Sequence, residues 1–248
     1  MIILKSEREI SNMYKAGQIL AACHREIAKA IKPGMSTMDI DRFVEDYLKA
    51  HGATPEQKGY RGYEFATCAS INDEICHGFP RETPLKSGDI VTIDCVVNLN
   101  GALADSAWTH VVGSITEDTK RLLEVTEASL YKGIEQAKIG NRAQDIGHAI
   151  QSYVEANNFS VVREFTGHGI GKTIHEEPTI LHYGKPGRGI RLQEGMVITI
   201  EPMVNVGTWK SKMDGNGWTA RTLDGKLSAQ YEHTIAITKD GPLILTQQ

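Results

Sequence analysis

Apolar residues along this chain follow two rhythms. Ile40, Phe43, Val44, Tyr47 and Leu48 recur at helical spacing, as do Ile146, Ile150, Tyr153 and Val154, whereas Ile90, Val91, Thr92 and Ile93 form a β-branched run. The pattern predicts a helix from Ser6, where Ser6 and Glu9 can form a capping box, to Ile31, and a second over 37–51. A third is expected over 117–137, opened by Thr116, Glu117 and Asp118, and a fourth over 143–157. Strand signals stand at 66–71, at 90–99 and, across an Asn100-Gly101 turn, at 102–113. Later ones lie near VVREF, MVITIEPMV, QYEHTIAIT and the terminal PLILT. Helices precede strands in each half, which argues an α+β fold rather than a doubly wound parallel sheet.

The pattern is also written twice. GDIVTID at 88–94 returns 107 positions later as GMVITIE at 195–201, and 32–52 aligns with 138–158 at an offset of 106, keeping Lys, Gly, Asp-Ile, Tyr and Ala in register. Two copies with so long a period do not make a solenoid. The expected organisation is a single domain over 1–248, with two pseudo-symmetric halves, about 1–112 and 113–248, around a central antiparallel sheet. Each repeated strand ends in a carboxylate, Asp94 or Glu201. An acid at a buried strand end is costly without a cation or strong donors, so the two are expected to meet at a shared point.

Composition narrows the choice. The net charge of −4, with no Lys/Arg run, makes a specific nucleic-acid ligand unexpected, although a transient ribosome contact stays open. The start MIILKSEREI has too short an apolar run for a signal peptide, and no stretch is apolar enough for a membrane span, so a cytoplasmic protein is expected. Cys23, Cys68, Cys76 and Cys95 lack the spacing of a zinc knuckle or a disulfide framework and are expected to be reduced.

The hairpin turn folds Asp105 back beside Asp94, and like charges in apolar surroundings repel. They can stay ionised together if a divalent metal neutralises them, the alternative being a shared proton. His168 in GHGIG, Glu201 in TIEPM and Glu232 in QYEHT add metal-type ligands. Four carboxylates and one imidazole suit Mn(II), Fe(II) or Co(II) better than a thiolate zinc site, and so many bridging-capable groups favour two ions. Two near-motifs fail. TGHGIGKT lacks the first glycine of a phosphate-binding loop, since position 166 is Thr, and HEEP lacks the second His of a zincin, since position 179 is Thr.

With CASINDEICHGFP, IDCVVNLNGALADSAW, EFTGHGIGKTIHEEP, GMVITIEPMVN and SAQYEHTI in order over nearly the whole chain, the sequence resembles the type I methionine aminopeptidase family of the pita-bread fold. The resemblance implies metal ligands at Asp94, Asp105, His168, Glu201 and Glu232, with Asp105 and Glu232 bridging two divalent ions. It implies His77 near the scissile amide, His175 on the carbonyl oxygen, and a methionine pocket that includes Tyr60, Tyr63, Cys68 and Trp218. Aromatic edges and a soft sulfur suit a thioether. Glu201, metal-bound yet able to take a proton from a bridging water, is the expected general base. The implied activity removes the initiator methionine of nascent polypeptides, preferentially before a small second residue, by a monomeric enzyme with no membrane partner.

The chain departs from the commonest type I pattern at Gln57, Ala104 and Ile174, which bears on pocket shape. His24, His51, His110, His148 and His182 are read as satisfied or solvated histidines, and His233 as a neighbour supporting the ligand set. Two other readings stay open: an Xaa-Pro aminopeptidase or prolidase, which usually adds an N-terminal domain, and a binding module of the same fold that has lost its metals.

Overall fold

The computed structural model describes residues 2–247. The first half runs α1 (Glu7–Ala30), α2 (Thr37–Ala50), β1 (Thr54–Pro55), β2 (Cys68–Ile71), β3 (Glu74–Cys76), β4 (Ile90–Leu99) and β5 (Ala102–Val111). The second runs α3 (Glu117–Ile134), α4 (Ala143–Ala156), β6 (Ser160–Val161), β7 (Gly167–Gly169), β8 (Glu176–Ile180), β9 (Val197–Ile200) and β10 (Met203–Asn205). It continues through β11 (Ser211–Met213), β12 (Ala220–Thr222), β13 (Ser228–Gln230), β14 (His233–Thr238) and β15 (Gly241–Ile244).

The capping boxes do what their sequences promise. Ser6 Oγ accepts from the Glu9 N–H while Glu9 accepts from the Ser6 N–H, and Ser36 and Asp39 repeat this at α2. The Asn100-Gly101 turn, with φ of 54° and 85°, joins β4 to β5 in the left-handed geometry that a two-residue hairpin needs. Period-2 alternation then sorts side chains by face. Val91, Ile93, Cys95 and Val97 of β4 pack on Leu20, Ile27, Ile40 and Val44 of α1 and α2. Ile198 and Ile200 of β9 and Ile235 and Ile237 of β14 pack likewise on Leu122, Leu130, Ile146 and Ile150 of α3 and α4. Helices therefore cover the outside of each half, and Asp94 and Glu201 point the other way.

All strand pairings are antiparallel. The central arrangement is shared between one sheet built on β4 and a five-stranded sheet ordered β15-β14-β9-β7-β8. The two meet where the Glu232 N–H donates to Ala107 O at 2.8 Å and the Asp105 N–H to Thr234 Oγ1 at 2.9 Å.

The repeat is visible as matching hydrogen bonds. Ser36 bridges Pro84 as Arg142 bridges Arg191, the Leu85 N–H donates to Met35 O as Leu192 does to Asn141 O, and the Met38 N–H donates to Arg81 O as Gln144 does to Arg188 O. Thr54 pairs with Asn98 as Ser160 pairs with Asn205. Thus β9 and β10 together correspond to β4, and β13 and β14 to β5, the second pair shifted by 125 positions so that Trp108 matches His233 and Asp105 matches Gln230. The strand that is continuous in the first half breaks in the second at Pro202, which has no N–H for a ladder.

Two expectations are corrected. The strand near VVREF covers only Ser160 and Val161, which pair with β10; the Val162 N–H makes one more bond, to Met203 O, before the chain turns away. The third helix ends at Ile134 rather than 137, since Gln136 and Ala137 donate to Gly133 and Ile134 in a tighter turn. The short strands β1, β3, β7, β8, β11 and β12 carry too few residues for alternation to show and were not anticipated.

Candidate metal centre and pocket

Every residue expected in the site lines one cavity of about 510 Å3. Asp94 and Asp105 come from the hairpin, where Asp94 faces Ala107 and Asp105 faces Val96. They are thus diagonal neighbours on one face rather than directly opposite, close enough for the charge of Asp94 to oppose ionisation of Asp105. The β5 to β14 contact brings Glu232 alongside Asp105, and Glu201 arrives from the end of β9. His168 sits in the middle of β7, its N–H donating to Thr199 Oγ1 at 3.0 Å. Its Nδ1–H donates to Gly169 O at 2.9 Å, which leaves the Nε2 lone pair free. That Nε2 lies 3.6 Å from Glu201 Oε1 and 3.8 Å from Asp105 Oδ2. Ligand atoms of Asp105, His168 and Glu232 all fall within 4.8 Å of one another.

Without a cation this cluster is electrostatically frustrated. Burial pushes the Asp94 carboxyl up to about 6 and Glu201 up to about 8. Burial, then repulsion from Asp94 and Glu201, drives Asp105 well above the carboxylate range, and burial with repulsion from Asp105 does the same to Glu232. Asp105 Oδ1 and Glu232 Oε1 are buried with no hydrogen-bond partner. Burial, then His175, holds His168 down to about 4, so its imidazole is neutral and able to donate a lone pair. Orphaned oxygens beside a neutral imidazole fit a divalent ion, whose charge reverses the logic that raises these carboxyls.

The histidines flank this cluster. His175 packs on His168 with ring centroids 4.4 Å apart, and its Nδ1 lies 3.0 Å from the Tyr60 hydroxyl. When that hydroxyl donates, the His175 proton sits on Nε2. His77 follows β3 with φ of 56°, a left-handed conformation uncommon outside glycine, and its carbonyl accepts from Thr219 Oγ1 at 3.3 Å. Gly78 allows the bend, because a Cβ there would lie 2.5 Å from Ala69 O. Burial, then His175, pushes the His77 imidazole down to about 4, keeping it neutral.

Tyr63, Cys68 and Trp218 form the wall of the cavity. Tyr63 and Trp218 meet edge to face at 5.0 Å, and the Tyr63 hydroxyl donates to Thr67 O at 2.9 Å, so its polar end is satisfied away from the pocket. The departures fall where they can be weighed. Gln57 uses its amide on β4, accepting from the Val96 N–H at 2.7 Å and donating to Asp94 O at 3.2 Å, so it holds the strand that carries Asp94. Ile174 lines the cavity, whereas Ala104 faces the helix-side core.

Sequence reasoning missed several neighbours. Phe165 packs edge to face on His77 at 5.6 Å; Thr199 Oγ1 donates to Glu201 Oε1 at 2.8 Å, and Gln230 Nε2 donates to Glu201 Oε2 at 3.3 Å. The signal for Gln230 was its repeat equivalence to Asp105, hidden because that offset differs from the other two. His182, expected only to be satisfied or solvated, accepts the Glu201 N–H at 3.1 Å. His233 turns to the helix side instead, pairing with Thr246 Oγ1 at 2.9 Å and the Tyr131 hydroxyl at 3.4 Å. His24 and His110 are buried together, their nearest ring nitrogens 3.5 Å apart, as a core pair. The near-motifs also resolve: the Lys172 N–H is held by Glu176 Oε1 rather than facing a phosphate, and the HEEP acids begin β8, not a helix.

Comparison with known proteins converges on one family. The pattern of metallopeptidase family M24 matches residues 11–239. Methionine aminopeptidase 1 of Bacillus subtilis (strain 168) is 53% identical over 247 residues, covering 100% of both chains. The crystal structure of methionine aminopeptidase from Rickettsia prowazekii superposes with a TM-score of 0.98 at 43% identity and covers 100% of each. The prolidase from Pyrococcus horikoshii OT3 shares the architecture with a TM-score of 0.80 at 27% identity, but this chain spans only 64% of it. The buried acid and imidazole cluster, the aromatic pocket beside it and full-length similarity to such enzymes place this chain in metallopeptidase family M24, among the methionine aminopeptidases.

Proposed function

We propose that Asp94, Asp105, His168, Glu201 and Glu232 hold two divalent ions, with Asp105 and Glu232 shared between them, and that Co(II), Mn(II) or Fe(II) are the ions this donor set accepts. The observation that carries the reading is the pair of buried, unpartnered oxygens, Asp105 Oδ1 and Glu232 Oε1, on two residues whose ligand atoms lie within 4.8 Å of each other and of a His168 ring nitrogen. When bound, the ions supply a water of lowered pKa and polarise the scissile carbonyl.

The chain's own residues do the rest. Glu201, with one oxygen held by Thr199 and the other by Gln230, takes the proton of the attacking water. His175, protonated on Nε2 through its contact with Tyr60, donates to the oxygen that gains charge. Neutral His77 orients the scissile amide and assists the leaving amine. Tyr60, Tyr63, Cys68 and Trp218 receive the methionine side chain, and ions held by Asp94, Asp105, His168, Glu201 and Glu232 would take the free α-amine, which would restrict cleavage to a chain terminus. His77 and Phe165, packed edge to face at 5.6 Å in the cavity lining, are the residues we propose limit room for the second residue and favour a small one.

On this reading 1–248 is one catalytic unit acting as a monomer on the initiator methionine of nascent chains in the cytoplasm, with transient ribosome contact. No helix among the described residues is long and apolar enough to cross a membrane. Calorimetric titration of the metal-free protein with Mn(II) tests the ligand set: two equivalents are expected. Asp105→Ala or Glu232→Ala should leave the fold intact and abolish nearly all turnover, and full turnover in either variant contradicts a shared-ligand site.

A further inference from the structure

Asp94 and Glu201 occupy equivalent ends of the repeat but not equivalent backbones. Asp94 lies inside a continuous strand, with Cys68 and Ala107 opposite it on either side. β9 stops at Ile200, β7 reaches β9 only at Gly169 opposite Ile198, and residue 202 is proline. The Glu201 N–H thus stands at the end of a ladder. His182 supplies the acceptor, with Nε2 3.1 Å away.

His182 is built for one orientation. Its side chain is fully buried, and its segment is pressed onto α4 at Gly147, where a Cβ would lie 2.4 Å from Leu181 O and 2.6 Å from Tyr183 O. Next to it, the Gly184 N–H donates to Gln151 Oε1 at 3.0 Å. A neutral ring that accepts at Nε2 carries its proton on Nδ1, and Nδ1 has no partner. The histidine therefore satisfies one buried group and leaves another unmet, which is no net gain in stability over an apolar filler. What it fixes is direction.

We infer that His182 is a positioning residue for Glu201: by accepting the Glu201 N–H where the strand ends, it sets the backbone from which the carboxylate reaches Thr199 and Gln230. This rests on Glu201 being the proton acceptor. His182→Met keeps the volume and removes the acceptor, while His182→Gln places Oε1 near the site of Nε2 and restores it. With the Mn(II)-loaded enzyme and a Met-Ala-Ser peptide, His182→Met is expected to lower kcat at least tenfold with KM within twofold and the unfolding midpoint little moved, and His182→Gln to recover most of the loss. A His182→Met enzyme within twofold of the parent, or Met and Gln variants equally impaired, overturns the inference.

Nitrogen NMR of the unsubstituted, metal-free protein gives an answer independent of folding in the variants. The His182 ring should be protonated at Nδ1 with Nε2 coupled to the Glu201 amide proton, and protonation at Nε2 overturns the inference. Glu201→Ala separates the two claims. If it is inactive while His182→Met is normal, Glu201 keeps its role and His182 loses its own; if Glu201→Ala is active, the reading of Glu201 itself fails.

Discussion

His77 and the two carboxylates proposed to be shared between ions, Asp105 and Glu232, line the same cavity but should differ in what their substitution does to bound metal. The His77 ring packs edge to face on Phe165 at 5.6 Å and on Trp218 at 6.4 Å, as an orienting side chain would. His77→Ala should therefore lower kcat by about 10²–10⁴-fold, the usual range for a lost acid-base or orienting group, while bound metal measured by atomic emission stays at the parent level. Depletion of metal in that variant would make His77 a ligand. At this scale Asp94 and Glu201 were legible as candidate ligands because an acid ending a β-branched strand has to be explained, and because it occurred twice; the full candidate set came from the family resemblance. Thr199, Gln230 and His182 were not legible. Each acts through a neighbour's oxygen or backbone N–H, and nothing in a Thr, Gln or His records which atom it will meet.

At the scale of elements, the hairpin could be read directly because Asn-Gly permits two successive positive φ values, and the helices because their apolar spacing and caps agree. The loop bearing His175 could not, because its anchor lies 171 positions away in sequence. Lys5 forms an ion pair with Glu176, with 5% and 7% of their side chains exposed, and Glu176 also accepts from the Lys172 N–H. Gly171 permits the approach, since a Cβ there would sit 2.5 Å from Lys5 Cε. Lys5→Met should leave Glu176 buried and unpaired and cost about 3–5 kcal/mol in chemical denaturation, with kcat falling as the His175 loop loosens. A variant as stable as the parent would show that the segment before α1 does not hold this loop.

For the molecule as a whole, the approximate two-fold explains why one site forms where the halves meet, and its violations explain the chemistry. The matched positions give Asp94 and Glu201; the unmatched ones turn Ala107 into Glu232 and Asp105 into Gln230. The metal-free protein carries Asp94 near 6 against an ordinary 3.8 and Glu201 near 8 against 4.5. Raised carboxyls bind more protons folded than unfolded, so their contribution to stability is present at low pH and is lost as pH rises from about 4 to about 8. Metal binding must displace those protons. Calorimetric heats of Mn(II) binding at pH 6.5 should vary with the ionisation enthalpy of the buffer, and buffer-independent heats would contradict protonated carboxyls in the free site.

The central claim is that this cluster and pocket together remove an N-terminal methionine. Hydrolysis of Met-Ala-Ser and of an Xaa-Pro peptide, followed side by side as Mn(II) is titrated into the metal-free protein, tests it most directly. Release of methionine that rises with loading, and no cleavage of the Xaa-Pro peptide, is the expected result; an intact Met-Ala-Ser with Xaa-Pro cleaved would contradict it.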